Sequence, residues 1–487
     1  MFSFLIGLVA LVAGYFIYGR LVERVFHPDQ RLTPAQKRAD GVDFIVLPPA
    51  KVFMIQFLNI AGTGPIFGAI MGAKFGPASY LWIVLGCIFA GAVFDYMSGM
   101  LSMRNGGVGY PELVGKYLGK RVKSVTLIFT LFFIMLVGAV FVYSPALILS
   151  SYYDNSLLWI ILIFSYYVIA TLLPIDKVIG KIYPLLGAAI LFMAVGLLVM
   201  LLVKFPSLPE VWDSLGNMIP TDDAGYDPIF PCLFITIACG AISGFHATQS
   251  PMMARCIVSE RYGRPIFYGA MITEGVVALI WAAVASYFFY ASPTPGFSEM
   301  GVNSGLATPA PNIVVLITND WLGTIGGILA VIGVVVAPIT SGDTALRSAR
   351  LIVADWLKID QKKKLKRLYV SLPVFIFTIS LLLWQINNPD GFSVIWQYFG
   401  WGNQVLSVIG LWTITMFLAR EKKFYWLTLL PAMFMTCVCL TYLFVSKQTF
   451  HIDYTIGCVA GILSMLLITT IFFLALRRVR KESLLKE

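Results

Sequence analysis

Charge is what this sequence has least of. Only 12% of its 487 residues are Asp, Glu, Lys or Arg, against about 25% in a water-soluble domain, whose surface must face water. Histidine is scarcer still, with three copies. The seven cysteines give no disulfide framework, because Cys87, Cys232, Cys239, Cys437, Cys439 and Cys458 fall inside apolar runs and Cys256 in a basic loop. No H-E-x-x-H, G-x-S-x-G or phosphate-cradling glycine loop occurs, so no motif points to an enzyme. Long unbroken apolar runs in place of polar–apolar alternation exclude a closed β-barrel. No soluble domain that would relay a signal is evident. Nor does a metal site stand out: Cys232, Cys239 and His246 are spaced by seven. On a continuous helix that spacing separates neighbours by about 10 Å, too far to share one zinc.

What the chain does have is apolar length. Hydrophobic residues make up 59% of it, mostly in runs of about 20 residues, the length a helix needs to cross the hydrocarbon core. Polar breaks divide these into spans near 2–19, 50–72, 78–103, 123–150, 157–173, 181–204 and 229–250. The remainder fall near 264–290, 312–340, 368–387, 393–419, 424–446 and 453–476. The expectation is an all-α polytopic membrane protein of about thirteen transmembrane helices. The run at 2–18 lacks a basic n-region and a small-x-small cleavage site, so it reads as a mature helix and not as a signal peptide. If loops alternate sides, one side holds every Lys and Arg except Lys74, Lys204 and Lys447. Basic residues are retained in the cytoplasm. That predicts an outside N-terminus, a cytoplasmic C-terminus and an odd helix count in a prokaryotic plasma (inner) membrane. The net charge of +10 then serves orientation and attraction to anionic lipid, and not nucleic-acid binding.

Two spans are interrupted by helix breakers. One contains Gln56-Phe-Leu-Asn-Ile-Ala-Gly-Thr-Gly-Pro65; the other contains Cys239-Gly-Ala-Ile-Ser-Gly-Phe-His-Ala-Thr-Gln-Ser-Pro251. Glycine costs about 1 kcal/mol in a helix interior and proline about 3, and unsatisfied backbone in lipid costs more. Such backbone survives only where it is buried in protein or lines a polar cavity. Each break opens a block of five spans, and five is odd, so the blocks are inverted with respect to the membrane. The expected organisation is an extra N-terminal helix and loop at 1–49, repeat 1 at 50–204 and an outer loop at 205–228. Repeat 2 follows at 229–420, with two C-terminal helices and a basic tail at 421–487. Paired breaks at corresponding places point to a transporter's substrate site, where freed amides hold an anion and freed carbonyls a cation. The plainer reading is that the glycines only allow close helix packing.

At these residues the chain resembles the carbon starvation protein A (CstA) family of peptide and pyruvate transporters. The stretches that carry the resemblance are Ile60-Ala-Gly-Thr-Gly-Pro65, Gly91-Ala-Val-Phe-Asp95 running to Arg104-Asn-Gly, Phe234-Ile-Thr-Ile-Ala-Cys-Gly-Ala-Ile-Ser-Gly-Phe-His246, and Phe399-Gly-Trp-Gly-Asn-Gln404. The resemblance implies membership of the amino acid–polyamine–cation superfamily and a LeuT-like five-plus-five inverted repeat. It also implies uptake of a short peptide or pyruvate coupled to H+ or Na+, without a cofactor. Departures concentrate near the breaks: Ile55 and Gln56 stand where the family often has histidines, and Asn59 and Thr63 where it has alanines. A channel, or less plausibly a membrane-embedded enzyme, is the alternative function.

Ionisable groups within spans are few and costly, about 2.5–3.5 kcal/mol each on insertion scales. Asp95, Glu274 and Asp343 are the acidic ones. Glu274 reads as a proton carrier or as a structural carboxyl bonded to neighbouring helices. Asp95 and Arg104 lie nine residues apart in one helix, about 13 Å at 1.5 Å per residue, so each needs another partner; Arg104 snorkels or closes an inner gate. Asp343 with Arg347 is a helix-end ion pair or part of an ion site. The resemblance to LeuT-like folds implies that Thr340 and Ser341 join carbonyls near Ala61 in holding sodium. His246 contacts substrate or proton, or is structural. The amides of Gly62, Thr63 and Gly64 and of Ser243, Gly244 and Phe245 are expected to receive a carboxylate, with Gln56 and Asn59 beside them. Asn403 and Gln404 line the path or bridge helices.

Overall fold

In hydrocarbon a backbone N–H or C=O has no water to bond, so an apolar run of this length closes its hydrogen bonds within itself as a helix. The computed structural model follows that rule. It describes residues 1–173, 175–221, 226–292, 310–361, 363–388 and 391–484. Among the described residues no strand occurs, and nine helices are long and apolar enough to cross a membrane. Pro49–Ile60 and Gly64–Phe75 add a tenth if they count as one span bent by 52°. Of the other expected spans, Ser156–Leu172 is 17 residues long and the seventh is cut into Ile229–Thr236 and His246–Ala254; Ala310–Leu357 is a helix broken at Gly323. Of the basic residues assigned to the cytoplasmic side, Lys362 lies outside the described residues.

The helices differ in what surrounds them. Ala78–Arg104, Glu260–Tyr290 and Val394–Arg420 have 83% of their most apolar window buried, whereas Phe2–Phe26 has 33% and Tyr454–Lys481 has 17%. The last of these presents Ile456, Leu463 and Leu467 outward, a surface suited to lipid and not to water. The interior is correspondingly polar for a membrane protein, with Gln56, Asn59, Asp95, His246, Glu274 and Asn403 fully buried. Buried polar groups of this kind are expensive unless they are paired.

The longest helix, Ala310–Leu357, packs along Lys120–Ser150. Each carries an internal proline, Pro338 and Pro145. Proline has no N–H, so Pro145 leaves the Phe141 carbonyl without its helical donor. The Tyr167 hydroxyl lies 2.8 Å from that oxygen and 2.9 Å from the Pro338 carbonyl, so one buried side chain stitches three helices at the place where lipid could not satisfy the backbone. This scaffold frames the two breaks.

Candidate functional site

The first break is a three-residue turn. Ala61 sits at φ −77°, ψ 58°, the geometry of an inverse γ-turn, and the Gly62 N–H donates to the Ile60 carbonyl at 2.8 Å. That diverts the Gly62 N–H from its helical acceptor, the Leu58 carbonyl, which takes the Ser341 hydroxyl at 2.9 Å in its place. The chain resumes as a wide turn over Gly64–Gly68. A Cβ on Gly64 would lie 2.2 Å from the Cys239 sulfur, so glycine here lets the first break touch the second. Around it, Gln56, Asn59 and Thr63 are wholly buried. Among the described residues the Gln56 Oε1, both Asn59 amide atoms, the Thr63 hydroxyl and the Gln249 Oε1 have no hydrogen-bond partner. Their neighbours account for only part of this polarity: Gln56 Nε2 donates to the Ser250 hydroxyl at 3.4 Å, and Gln249 Nε2 to the Thr248 hydroxyl at 2.8 Å.

The second break is also a three-residue turn, of the opposite hand. Gly240 takes φ +64°, which glycine adopts freely, and the Ala241 N–H donates to the Cys239 carbonyl at 2.5 Å. Here the freed groups are occupied. The Trp82 indole donates to the Ile237 carbonyl and the Gln404 amide to the Phe234 carbonyl, each at 2.8 Å. Asn403 fills the turn before His246: its Oδ1 accepts from the Phe245 N–H at 2.7 Å and the Ser243 hydroxyl at 3.0 Å. Its backbone carbonyl accepts from the Gly244 N–H at 3.1 Å. In this conformation, then, the Gly244 and Phe245 amides expected to hold a carboxylate are held by Asn403. Asn403 and Gln404 bridge helices.

At the end of that turn His246 opens the helix His246–Ala254 between two carboxylates. Its Nδ1 lies 2.9 and 3.0 Å from the two Asp95 oxygens. Its Nε2 lies 3.3 Å from Glu274 Oε2, within ion-pair reach. The other Glu274 oxygen accepts from the Gly240 N–H at 3.3 Å, which ties the triad to the turn itself. All three side chains are fully buried. Three distant sequence positions on three helices are thus brought into one chain of contacts. Two carboxylates and one imidazole carry at most one positive charge against two negative ones, and burial penalises an uncompensated charge. One more proton, or a cation, balances the group.

The remaining candidates sit around this centre. Thr340 donates to carbonyls of its own helix at 2.9 and 3.1 Å, while Ser341 reaches the first break. Asp343 and Arg347 are 4.0 Å apart and both buried. Arg347 also donates to the Ala170 and Leu173 carbonyls at 2.5 and 2.8 Å, at the end of Ser156–Leu172. Arg104 points away from Asp95. It grips buried Glu260 at 3.1 and 3.2 Å and the His27 carbonyl at 2.6 Å, with its guanidinium 4.1 Å from the Phe26 ring centre. Cys232 and Cys239 part company, since the first borders a cleft beside Asp227 and Tyr454 and the second faces Ser243 and Asn403. The sequence reading missed Trp82, Gln249 and Ser250. The last two lie inside the quoted breaker segment, where their polarity was a usable signal; Trp82 gave none.

A family model described as carbon starvation protein CstA matches residues 1–152, 143–293 and 294–442. A peptide transporter CstA of Escherichia coli K12 is 24% identical across 84% of this chain and 76% of its own length. The peptide transporter CstA of Bacillus subtilis 168 is 25% identical across 86% of each. An uncharacterized membrane protein of Haemophilus influenzae is 44% identical over 59% of this chain and 91% of its own. Among solved structures, a manganese transporter of Eremococcus coleocola aligns over 91% of this chain and 99% of that one. Its TM-score is 0.53 at 14% identity, a likeness of fold.

Proposed function

This chain belongs to the carbon starvation protein CstA family, and from that premise we propose that it is a secondary active importer of a small carboxylate-bearing nutrient, a short peptide or pyruvate. Protons drive it, by alternating access. The observation that carries the proposal is the buried Asp95–His246–Glu274 chain, whose charge is balanced by one added proton. Loading that proton from one side and releasing it to the other couples the gradient to the solute. The unpartnered Gln56, Asn59 and Thr63 groups bind the solute with the Gly62–Gly64 amides. In the same reading, a carboxylate displaces Asn403 to reach the amides of Ser243, Gly244 and Phe245. The curated relatives named peptide transporters favour a peptide.

The finer architecture belongs to the same proposal: about thirteen helices, the last two and the first lying outside a LeuT-like pair of inverted five-helix repeats. The contact of the two breaks at Gly64 and Cys239 supports it, as does the likeness of fold to a transporter. Orientation follows the basic loops, with the N-terminus outside and the C-terminus in the cytoplasm. A sodium-coupled reading has one observation of its own, Ser341 seated against the first break, with Thr340, Asp343 and the Ala61 carbonyl nearby in sequence or fold. The fold neighbour's manganese does not carry over. Asp95 and Glu274 approach opposite ring nitrogens of His246, so the three cannot converge on one ion.

The test is uptake of labelled dipeptides and pyruvate into proteoliposomes, with proton and sodium gradients imposed separately. Saturable accumulation under the proton gradient alone is expected. Flux that neither saturates nor responds to a gradient would remove the transporter reading in favour of a channel.

A further inference from the structure

Two cavities meet at the foot of the second break. The wider holds about 620 Å³ and is bordered by Arg38, Glu112, Lys123, Arg255, Asp355 and Lys358, among others. The narrower holds about 10 Å³ and is bordered by Tyr110, Thr248, Met252, Arg255, Ser348 and Asp355. Only Arg255 and Asp355 border both. A single water needs about 10–15 Å³, so the narrow space passes no solute. Thr248 on its wall is two residues from His246. Between the wide cavity and this narrow space stands the Arg255–Asp355 ion pair.

That pair is built to let go on one side only. The Arg255 Nε donates to the Gly107 carbonyl at 2.7 Å, and its guanidinium lies 5.0 Å from the Phe44 ring centre. The backbone is strapped down as well, the Ile45 N–H donating to the Arg255 carbonyl at 3.3 Å and the Leu47 N–H to the Cys256 carbonyl at 3.1 Å. Asp43 anchors the same stretch to Arg350 at 3.2 Å. By contrast the Asp355 contact is long, at 3.5 Å, and the Asp355 side chain is 40% exposed. Arg255 itself is buried, so the pair is solvated on the Asp355 side alone, and at 3.5 Å that carboxylate is its loosest partner.

We propose that Arg255 and Asp355 form the inner gate of the transport path, and that Arg255 receives the solute's carboxylate once Asp355 releases it. The exchange replaces one carboxylate by another on the same guanidinium, so opening never strands a buried cation. This deepens the transport reading above and rests on it for the identity of the solute, though not for the position of the gate.

The gate is tested by labelling. Met252 is buried on the wall of the narrow cavity, and Met252→Cys puts a thiol behind the gate. Inside-out vesicles are treated with a membrane-impermeant maleimide and the labelled peptides are read by mass. Native Cys256 contributes little while the gate is shut, because burial holds its thiol up at about 12, where thiolate is scarce. Asp355→Asn and Arg255→Gln should each raise labelling at position 252 by about tenfold, and Arg255→Lys should leave it near the parent rate. Unchanged labelling in both opening variants, with melting curves matching the parent, would overturn the gate. The receiving role has its own readout. Arg255→Gln should raise the KM for efflux of labelled dialanine about tenfold, and Asp355→Asn should not; equal KM values would overturn that role alone. Labelling needs no transport, so a protein that moves no dipeptide defeats the function while leaving the gate to be judged.

Discussion

The two breaks solve the same problem in opposite ways. Both interrupt a helix with a three-residue turn, at Ala61 with negative φ and at Gly240 with positive φ. Around the first, Gln56, Asn59 and Thr63 keep buried polar atoms without hydrogen-bond partners, and so does Gln249 from the second segment. Around the second, Trp82, Asn403, Gln404 and Glu274 occupy the freed backbone. An unpaired buried polar group costs about 1–3 kcal/mol, so a protein keeps several only where something else completes them. The second break is finished by the protein itself and serves to set His246 between its carboxylates; the first, on this account, is finished by the ligand.

The largest effect expected from breaking that contrast is at His246. His246→Ala leaves Asp95 and Glu274 buried without the imidazole between them, and removing one partner of a buried pair costs about 3–5 kcal/mol. Uptake should be lost and the melting temperature should fall. At the first break the prediction reverses. Asn59→Ala or Thr63→Ala should raise the KM for solute about 5–30-fold, the equivalent of about 1–2 kcal/mol of hydrogen bonding, while leaving the ligand-free melting temperature unchanged or higher. A fall in stability with unchanged KM would show those groups to be structural. Asn403→Ala is the mirror case: it strands the Phe245 N–H, so about 1–3 kcal/mol of stability should go. If KM then falls as well, Asn403 competes with the solute for those amides.

The smallest effect lies outside both breaks, on the strap. Burial alone would raise the Asp43 carboxyl, but Arg350, Arg347, Arg255 and Arg367 together hold it below its usual range. A depressed carboxylate contributes stability above its unfolded value of about 3.9 and loses it as pH falls through the folded value. Asp43→Asn should therefore lower the melting temperature at pH 7 and flatten its decline below about pH 4, while KM stays put.

Much of this was readable from one sequence. The breakers marked both turns, and the depth of Glu274, Asp95 and His246 in apolar runs marked all three as candidates, because a membrane charges heavily for such residues. Their pairing was not readable. Positions 95, 246 and 274 meet only after three helices pack, and no local spacing encodes that. The same limit explains Asn403. Whether an amide is free depends on what a helix more than 150 residues away presents to it, so the carboxylate site expected at Gly244 and Phe245 is covered in the folded chain. Arg104 and Asp95 were separable by helix geometry alone, and their partners, Glu260 and His246, came only from the fold.

The most direct measurement follows protons. A pH-sensitive dye is sealed inside proteoliposomes and dialanine is added outside, first to the parent and then to Glu274→Gln. The account predicts solute-dependent acidification with the parent and none with the variant, which still exchanges labelled for unlabelled solute. Acidification that persists at full size in Glu274→Gln, or accumulation that follows sodium with no proton movement, would contradict it.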